Sequence, residues 1–138
     1  MCKIDDSFAK RGRITAFSNT ELTPELAALL GNALGTYLDS KAVTMIGRDY
    51  RRDTRMLKRS FSGGLLAAGI ELIDLHGIPT SVLQFTIRRF GADCGVMFTR
   101  SHNLAGMVSI KIFDSTGIEF KREQVQKVVE ITVVIQFG

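Results

Sequence analysis

The run Thr99-Arg100-Ser101-His102-Asn103 is followed, ten residues after the serine, by Lys111 within Ile110-Lys111-Ile112. A serine hydroxyl is a weak nucleophile until a neighbouring base takes its proton. Histidine is the side chain suited to take a proton near neutral pH, and His102 is adjacent. Moving a phosphoryl group requires fixed positive charge around its oxygens, which Lys111 offers. Asn103 tolerates turn conformations and suits a loop. Together these residue types fit a serine that accepts and returns a phosphoryl group. Ser-His pairs are common, however, so on residue types alone an ordinary polar loop is the alternative, with Lys111 a solvated strand residue. The alternation of a strand turns Ile110 and Ile112 away from Lys111, consistent with a lysine that reaches into a cleft.

Such a loop needs strands to carry it. Asp93 to Phe98 reads as an apolar strand leading into the serine, and Val108 to Phe113 as the strand leaving it. Upstream, Leu22, Leu26, Leu29, Leu30, Ala33, Leu34 and Tyr37 recur at steps of three and four, the mark of an amphipathic helix from Thr23 to about Tyr37. Thr23 suits its N-cap and Pro24 its first turn. Ala42 to Ile46, closed by Gly47, reads as a buried strand. A helix follows from about Asp53 to Ala68, with Met56, Leu57, Phe61, Leu65 and Ala68 on its apolar face and Gly69 past its end. Gly63-Gly64 within it either weakens the helix or marks close packing. Ile70 to Leu75 is a strand, Pro79 to Phe90 a helix ended by Gly91, and Lys121 to about Glu130 a last helix. The apolar tail Ile131-Thr132-Val133-Val134-Ile135-Gln136-Phe137 is expected as a final strand. Strands alternating with helices imply an α/β fold, a three-layer α/β/α sandwich on a largely parallel mixed sheet. Ligands in such sheets sit beyond the carboxyl ends of the strands, where the loops after Gly47 and Phe98 lie.

A chain of 138 residues, 45% apolar, is one domain with a real core. No apolar run reaches the roughly 18 residues of a membrane span. The first residues, Met1 to Asp6, carry two acids and no apolar segment, so no signal peptide is expected and the cytoplasm is the default location. Cys2 and Cys94 make neither a disulfide framework nor a metal site, and Cys94 reads as a small buried residue. A net charge of +4 suits an anionic ligand. The densest basic patch, Arg48, Arg51, Arg52, Arg55 and Arg59, has no aromatic residues interleaved for stacking, so a nucleic-acid partner is not favoured over a solvated helix face.

The chain resembles the alpha-D-phosphohexomutase family (phosphomannomutase and phosphoglucomutase) in its first domain. That family's serine loop usually reads T-A-S-H-N-P, followed by an N-G-x-K-I strand. Here the corresponding residues are Thr99-Arg100-Ser101-His102-Asn103-Leu104 and Ser109-Ile110-Lys111-Ile112-Phe113. Glu21-Leu22-Thr23-Pro24, Gly47-Arg48-Asp49, Met56-Leu57-Lys58-Arg59, Gly64 to Gly69 and Gly77-Ile78-Pro79-Thr80 look like further blocks of that domain, in the same order, from about Phe8 to about Ile131. Arg100 stands where the family has a small residue and Leu104 where it has proline.

The resemblance implies that Ser101 carries a phosphoryl group to and from a hexose phosphate, with Lys111 beside that phosphate. His102 is the candidate base or phosphate donor, with a surface-loop histidine as the alternative, and Asn103 is a loop-shaping residue and candidate phosphate contact. Arg11, in Lys10-Arg11-Gly12-Arg13, is similar to an arginine that contacts the same phosphate, with a solvated basic run as the alternative. Gly47-Arg48-Asp49 takes a mainly structural role near the site. Mg2+ is implied as cofactor, held by Ser101 through its phosphate. The family's acidic D-G-D-x-D-R magnesium loop, its sugar loop and its terminal phosphate loop are absent from these residues. The expected function is thus the phosphoserine-bearing first domain of a mutase in carbohydrate metabolism, an intramolecular phosphotransferase, inactive as this chain alone. The alternative is a free-standing, non-catalytic binding or assembly module. Its expected partner is a second copy, associated through the apolar tail, with strand pairing as one mode.

Overall fold

The computed structural model describes residues 9–10, 13–101 and 105–137. Among them ten elements follow in order: β1 (Ala9–Lys10), β2 (Arg13–Phe17), α1 (Pro24–Tyr37), β3 (Val43–Arg48), α2 (Arg52–Ala67), β4 (Glu71–Gly77), α3 (Thr80–Phe90), β5 (Cys94–Arg100), β6 (Met107–Phe113) and α4 (Arg122–Phe137). The six strands form one sheet in the order β1-β2-β6-β5-β3-β4. β3 pairs in parallel with β4 and β5, while β5–β6, β6–β2 and β2–β1 pair antiparallel. Thus β2, β3, β4 and β5 run one way and β1 and β6 the other.

Helices cover both faces. Side chains of α1, α2 and α4 pack with Ile46, Val96, Phe98, Val108 and Ile110 into the larger core. On the other face Leu83 and Ile87 of α3 pack on Met45, Met97 and Phe113. This is the expected three-layer arrangement. Local chemistry sets the boundaries. The Thr23 hydroxyl accepts the Leu26 N–H at 3.2 Å and Pro24 opens α1. Gly91, at φ +71°, closes α3. Phe61 of α2 meets Phe98 of β5 edge to face, with ring centroids 5.3 Å apart, which fixes α2 against the strand that leads to Ser101.

The tail departs from the sequence reading. Residues 131–137 continue α4 and form no strand. Val125, Val128, Val129 and Thr132 lie on one helical stripe and are buried, and the Thr132 hydroxyl bonds back to the Val128 carbonyl at 2.9 Å. Burial of that stripe overrides the strand preference of a β-branched run. The tail therefore offers no strand edge, and pairing of copies through such an edge loses its basis. The five-residue strand β2, Arg13–Phe17, was not anticipated. Its alternation, with Ile14 and Ala16 buried, shows in the register with β6. Among the described residues no helix is long and apolar enough to cross a membrane.

Candidate active site

β3 and β5 are parallel neighbours and end side by side, with Arg48 opposite Phe98. The serine loop leaves from that edge. Ser101 follows β5 directly, is 7% exposed, and its N–H donates to the Met107 carbonyl at 2.9 Å. The return arm bends at Gly106, where φ is +82°, and the Gly106 carbonyl accepts the Ser18 N–H at 3.0 Å beyond the end of β2. Ser101 is thus held at its backbone, at the strand exit where an α/β sheet binds ligands. His102 and Asn103 lie outside the described residues, as does Arg11.

Lys111 sits mid-strand in β6, paired with Met97 of β5 on one side and Arg13 of β2 on the other. Ile110 and Ile112 are buried on the opposite face, as the alternation required. Met97 and Thr99 share the Lys111 face, and Ser101 follows Thr99 by two residues. Four ladder positions separate Lys111 from Ser101, a span of about 13 Å. The Lys111 pKa is lowered, by burial first and by the nearby Arg13 cation second, against an opposing pull from Glu119. Arg13 donates through Nε and Nη2 to both carboxylate oxygens of Glu119, at 3.0 and 2.9 Å. That bidentate pair engages the guanidinium of Arg13, a member of the same basic run as Arg11.

A lysine with a lowered pKa beside a like charge is a local liability. The unfolded chain binds more protons than the folded one around this group, so its cost is present at neutral pH and fades as pH rises through the folded pKa. Lys111→Met should therefore raise stability by roughly 0.2–1 kcal/mol at neutral pH, read from urea midpoints. An unchanged or lowered midpoint would mean that Lys111 is already relieved in the folded state.

The residue that sequence reasoning undervalued is Asp49, the first after β3. Its N–H donates to the Phe98 carbonyl at 3.0 Å. Its Oδ2 accepts the Arg100 N–H at 2.7 Å, one residue before the serine. Its Oδ1 accepts the Thr54 hydroxyl at 2.6 Å and the Arg51 N–H at 3.2 Å, both at the start of α2. The Arg48 guanidinium donates to the Asp49 carbonyl at 2.8 Å. An acidic residue directly after a buried strand and five before a threonine was the available signal. Its meaning depended on β5 lying beside β3.

The donors among the described residues do not by themselves make a magnesium site. Among the described residues no group of three acids, histidines or cysteines is placed to share a cation. Asp49, the carboxylate nearest the serine loop in bonding, has its oxygens turned to three donors. A phosphate on Ser101 would bring oxygens, but a hard cation needs several more. Cys94 offers no nucleophile, since complete burial pushes its thiol pKa up to about 12.

Residues 5–137 match the family described as phosphoglucomutase/phosphomannomutase, alpha/beta/alpha domain I. The chain is 39% identical over 120 residues to a phosphoglucosamine/phosphogalactosamine mutase of Sulfurisphaera tokodaii, a match that covers 87% of this chain and 26% of the relative. It is 43% identical over 111 residues to a phosphopentomutase of Thermococcus kodakarensis, covering 80% of this chain and 24% of the relative. The chain thus spans about a quarter of the length of these relatives. A phosphoglucomutase/phosphomannomutase family protein from Burkholderia thailandensis has the same fold, with a TM-score of 0.81 at 23% identity over 96% of this chain and 31% of that one. A match across nearly every described element, with the serine at the strand exit, places this chain in the phosphoglucomutase/phosphomannomutase family, as its domain I.

Proposed function

We propose that this chain is the phosphoryl-carrying domain of a phosphosugar mutase, in which Ser101 alternately holds and releases a phosphoryl group. The observation that carries the reading is the position of Ser101, backbone-held at the carboxyl edge of β5 in a domain of this family. In the forward transfer the Ser101 Oγ–P bond breaks as a sugar hydroxyl oxygen bonds to phosphorus; the hydroxyl proton passes to a neighbouring base and the released Oγ takes up a proton from a neighbouring acid. In the return transfer the serine oxygen gives its proton to the base and attacks the other phosphate of the bisphosphorylated sugar; that phosphate's bond to the sugar oxygen breaks, and the sugar oxygen takes up a proton from the acid on its side. His102 is the base that the sequence offers. Lys111 supplies positive charge on the shared sheet face, and Arg11 and Asn103 are the further phosphate contacts. The substrate is a hexose or hexosamine phosphate. The cation and the sugar clamp belong to the three-quarters of a full-length mutase that this chain does not span, so the chain alone should turn nothing over.

A hybrid tests this. The matching segment of the Sulfurisphaera tokodaii enzyme is replaced by this chain, and turnover of glucosamine phosphate is followed with the mass of the Ser101 peptide. The hybrid should be active and should carry one phosphoryl group on Ser101. Ser101→Ala should remove the modification and lower turnover at least about a thousandfold at unchanged Tm. A folded hybrid that binds the sugar phosphate, leaves Ser101 unmodified and turns nothing over would refute the proposal.

A further inference from the structure

We infer that Asp49 is the positioning residue of the serine loop: its carboxylate, fixed at the start of α2, holds the Arg100 N–H and thereby sets where Ser101 presents its hydroxyl. The inference rests on the reading of Ser101 as the phosphoryl carrier. Three donors converge on this carboxylate, from Arg100, Arg51 and Thr54. Two of them are backbone N–H groups, which cannot reverse their polarity, so the group between them must accept from both. An ionised carboxylate does this with both oxygens, and hydrogen bonds to it are short and strong. An asparagine would keep one oxygen for Arg100 only by turning its own N–H2 toward Arg51. Alanine would leave the Arg100 N–H without this acceptor.

The contact is also well anchored. Thr54 is fully buried, its hydroxyl oxygen also lies 2.9 Å from the Arg51 carbonyl, and the Asp49 backbone is bonded to Phe98. Asp49 therefore ties three things to one point: the exit of β3, the first turn of α2 and the residue before Ser101. A strand exit fixed this tightly up to Ser101 is what in-line group transfer requires, where misplacement by about 1 Å can cost a hundredfold in rate. The carboxylate need not touch the phosphoryl group to have this effect.

The test uses the 138-residue chain and the hybrid enzyme together. Amide hydrogen exchange is measured by NMR at Arg100 and Ser101, with Val96 and Ile110 as core reporters. Asp49→Ala should speed exchange at Arg100 by about tenfold or more relative to the core reporters. Asp49→Asn should fall between alanine and wild type, and Thr54→Val should shift Arg100 in the same direction by less. In the hybrid, Asp49→Ala should lower kcat by about a hundredfold with KM for the sugar phosphate little changed. Should Asp49→Ala fail to fold, Asp49→Asn and Thr54→Val give the same readouts. Exchange at Arg100 that stays at the wild-type rate, or rises only in step with the core, would overturn the inference. So would an unchanged kcat. If local exchange rises as expected but the wild-type hybrid never carries phosphate on Ser101, the clamp stands as a structural contact and the phosphoryl-carrier reading is what fails.

Discussion

Gly64→Ala should destabilise the domain by about 3 kcal/mol or more and lower its Tm by roughly 10 °C, whereas Gly63→Ala should stabilise it by about 0.5–1 kcal/mol. The two glycines are adjacent in α2, but only one lies at a helix crossing. A Cβ on Gly64 would overlap the Ala28 carbonyl oxygen and come 2.7 Å from the Asn32 backbone nitrogen, both in α1. The same crossing is tight from the other side, where a Cβ on Gly31 of α1 would overlap the Phe61 carbonyl oxygen. Backbone cannot rotate away as a side chain does, so the helices must separate, and that loosens the core around Phe61 and Leu65. Gly63 faces solvent with nothing near its would-be Cβ, so alanine there only removes the entropy cost of a glycine in a helix. Thermal and urea melts of the two variants, with Gly31→Ala as a companion, decide the matter. A Gly64→Ala protein that melts with wild type would mean that α1 and α2 do not cross at these glycines.

The sequence carried the choice between a weak helix and close packing at Gly63-Gly64, but not which glycine met which neighbour. The same division holds through the molecule. α1 was readable because Thr23, Pro24 and a clean three-and-four spacing all point one way. The strand that enters Ser101 and the placement of Lys111 on the face opposite Ile110 and Ile112 were readable because strand alternation is local. The end of α4 was not, because Val133, Val134 and Ile135 favour a strand by propensity and only tertiary burial of Val128, Val129 and Thr132 decides otherwise. Asp49 was not, because its meaning arises when the order β6-β5-β3 brings Arg100 beside it, from 51 residues away in sequence. Lys58 lies among three arginines of α2, Arg52, Arg55 and Arg59, whose face reads as solvated, and its burial depends on what β4 places over it.

Lys58 leads to the second large effect. Asp74→Asn should cost about 2–3 kcal/mol and remove part of the acid sensitivity of the fold. Lys58 is 3% exposed on α2, and its Nζ lies 2.5 Å from Oδ2 of Asp74 on the edge strand β4. Removing the carboxylate strands a buried ammonium, a change that costs 3–5 kcal/mol in a fully buried pair. The lower figure applies here because Asp74 is 35% exposed and water screens part of the loss. The second carboxylate oxygen accepts the His76 N–H at 2.8 Å, where the chain turns through a positive φ of 60°, so the substitution also loosens the end of β4. Burial raises the pKa of Asp74, yet Lys58 and the His76 N–H outweigh it and hold the carboxyl below its ordinary 3.8. A lowered carboxyl pKa adds stability that is complete above the unfolded value and is lost as pH falls through the folded one. Wild type should therefore lose this contribution below about pH 4, while Asp74→Asn should vary less with pH over the same interval. Lys58→Met should be nearly neutral, and combined with Asp74→Asn it should recover most of the loss, since an apolar side chain leaves no charge to strand. If the single Asp74→Asn variant matched wild type at neutral pH, Lys58 would be finding water or another partner. The tie between α2 and β4 would then contribute nothing to holding Thr54, and through it Asp49, in place.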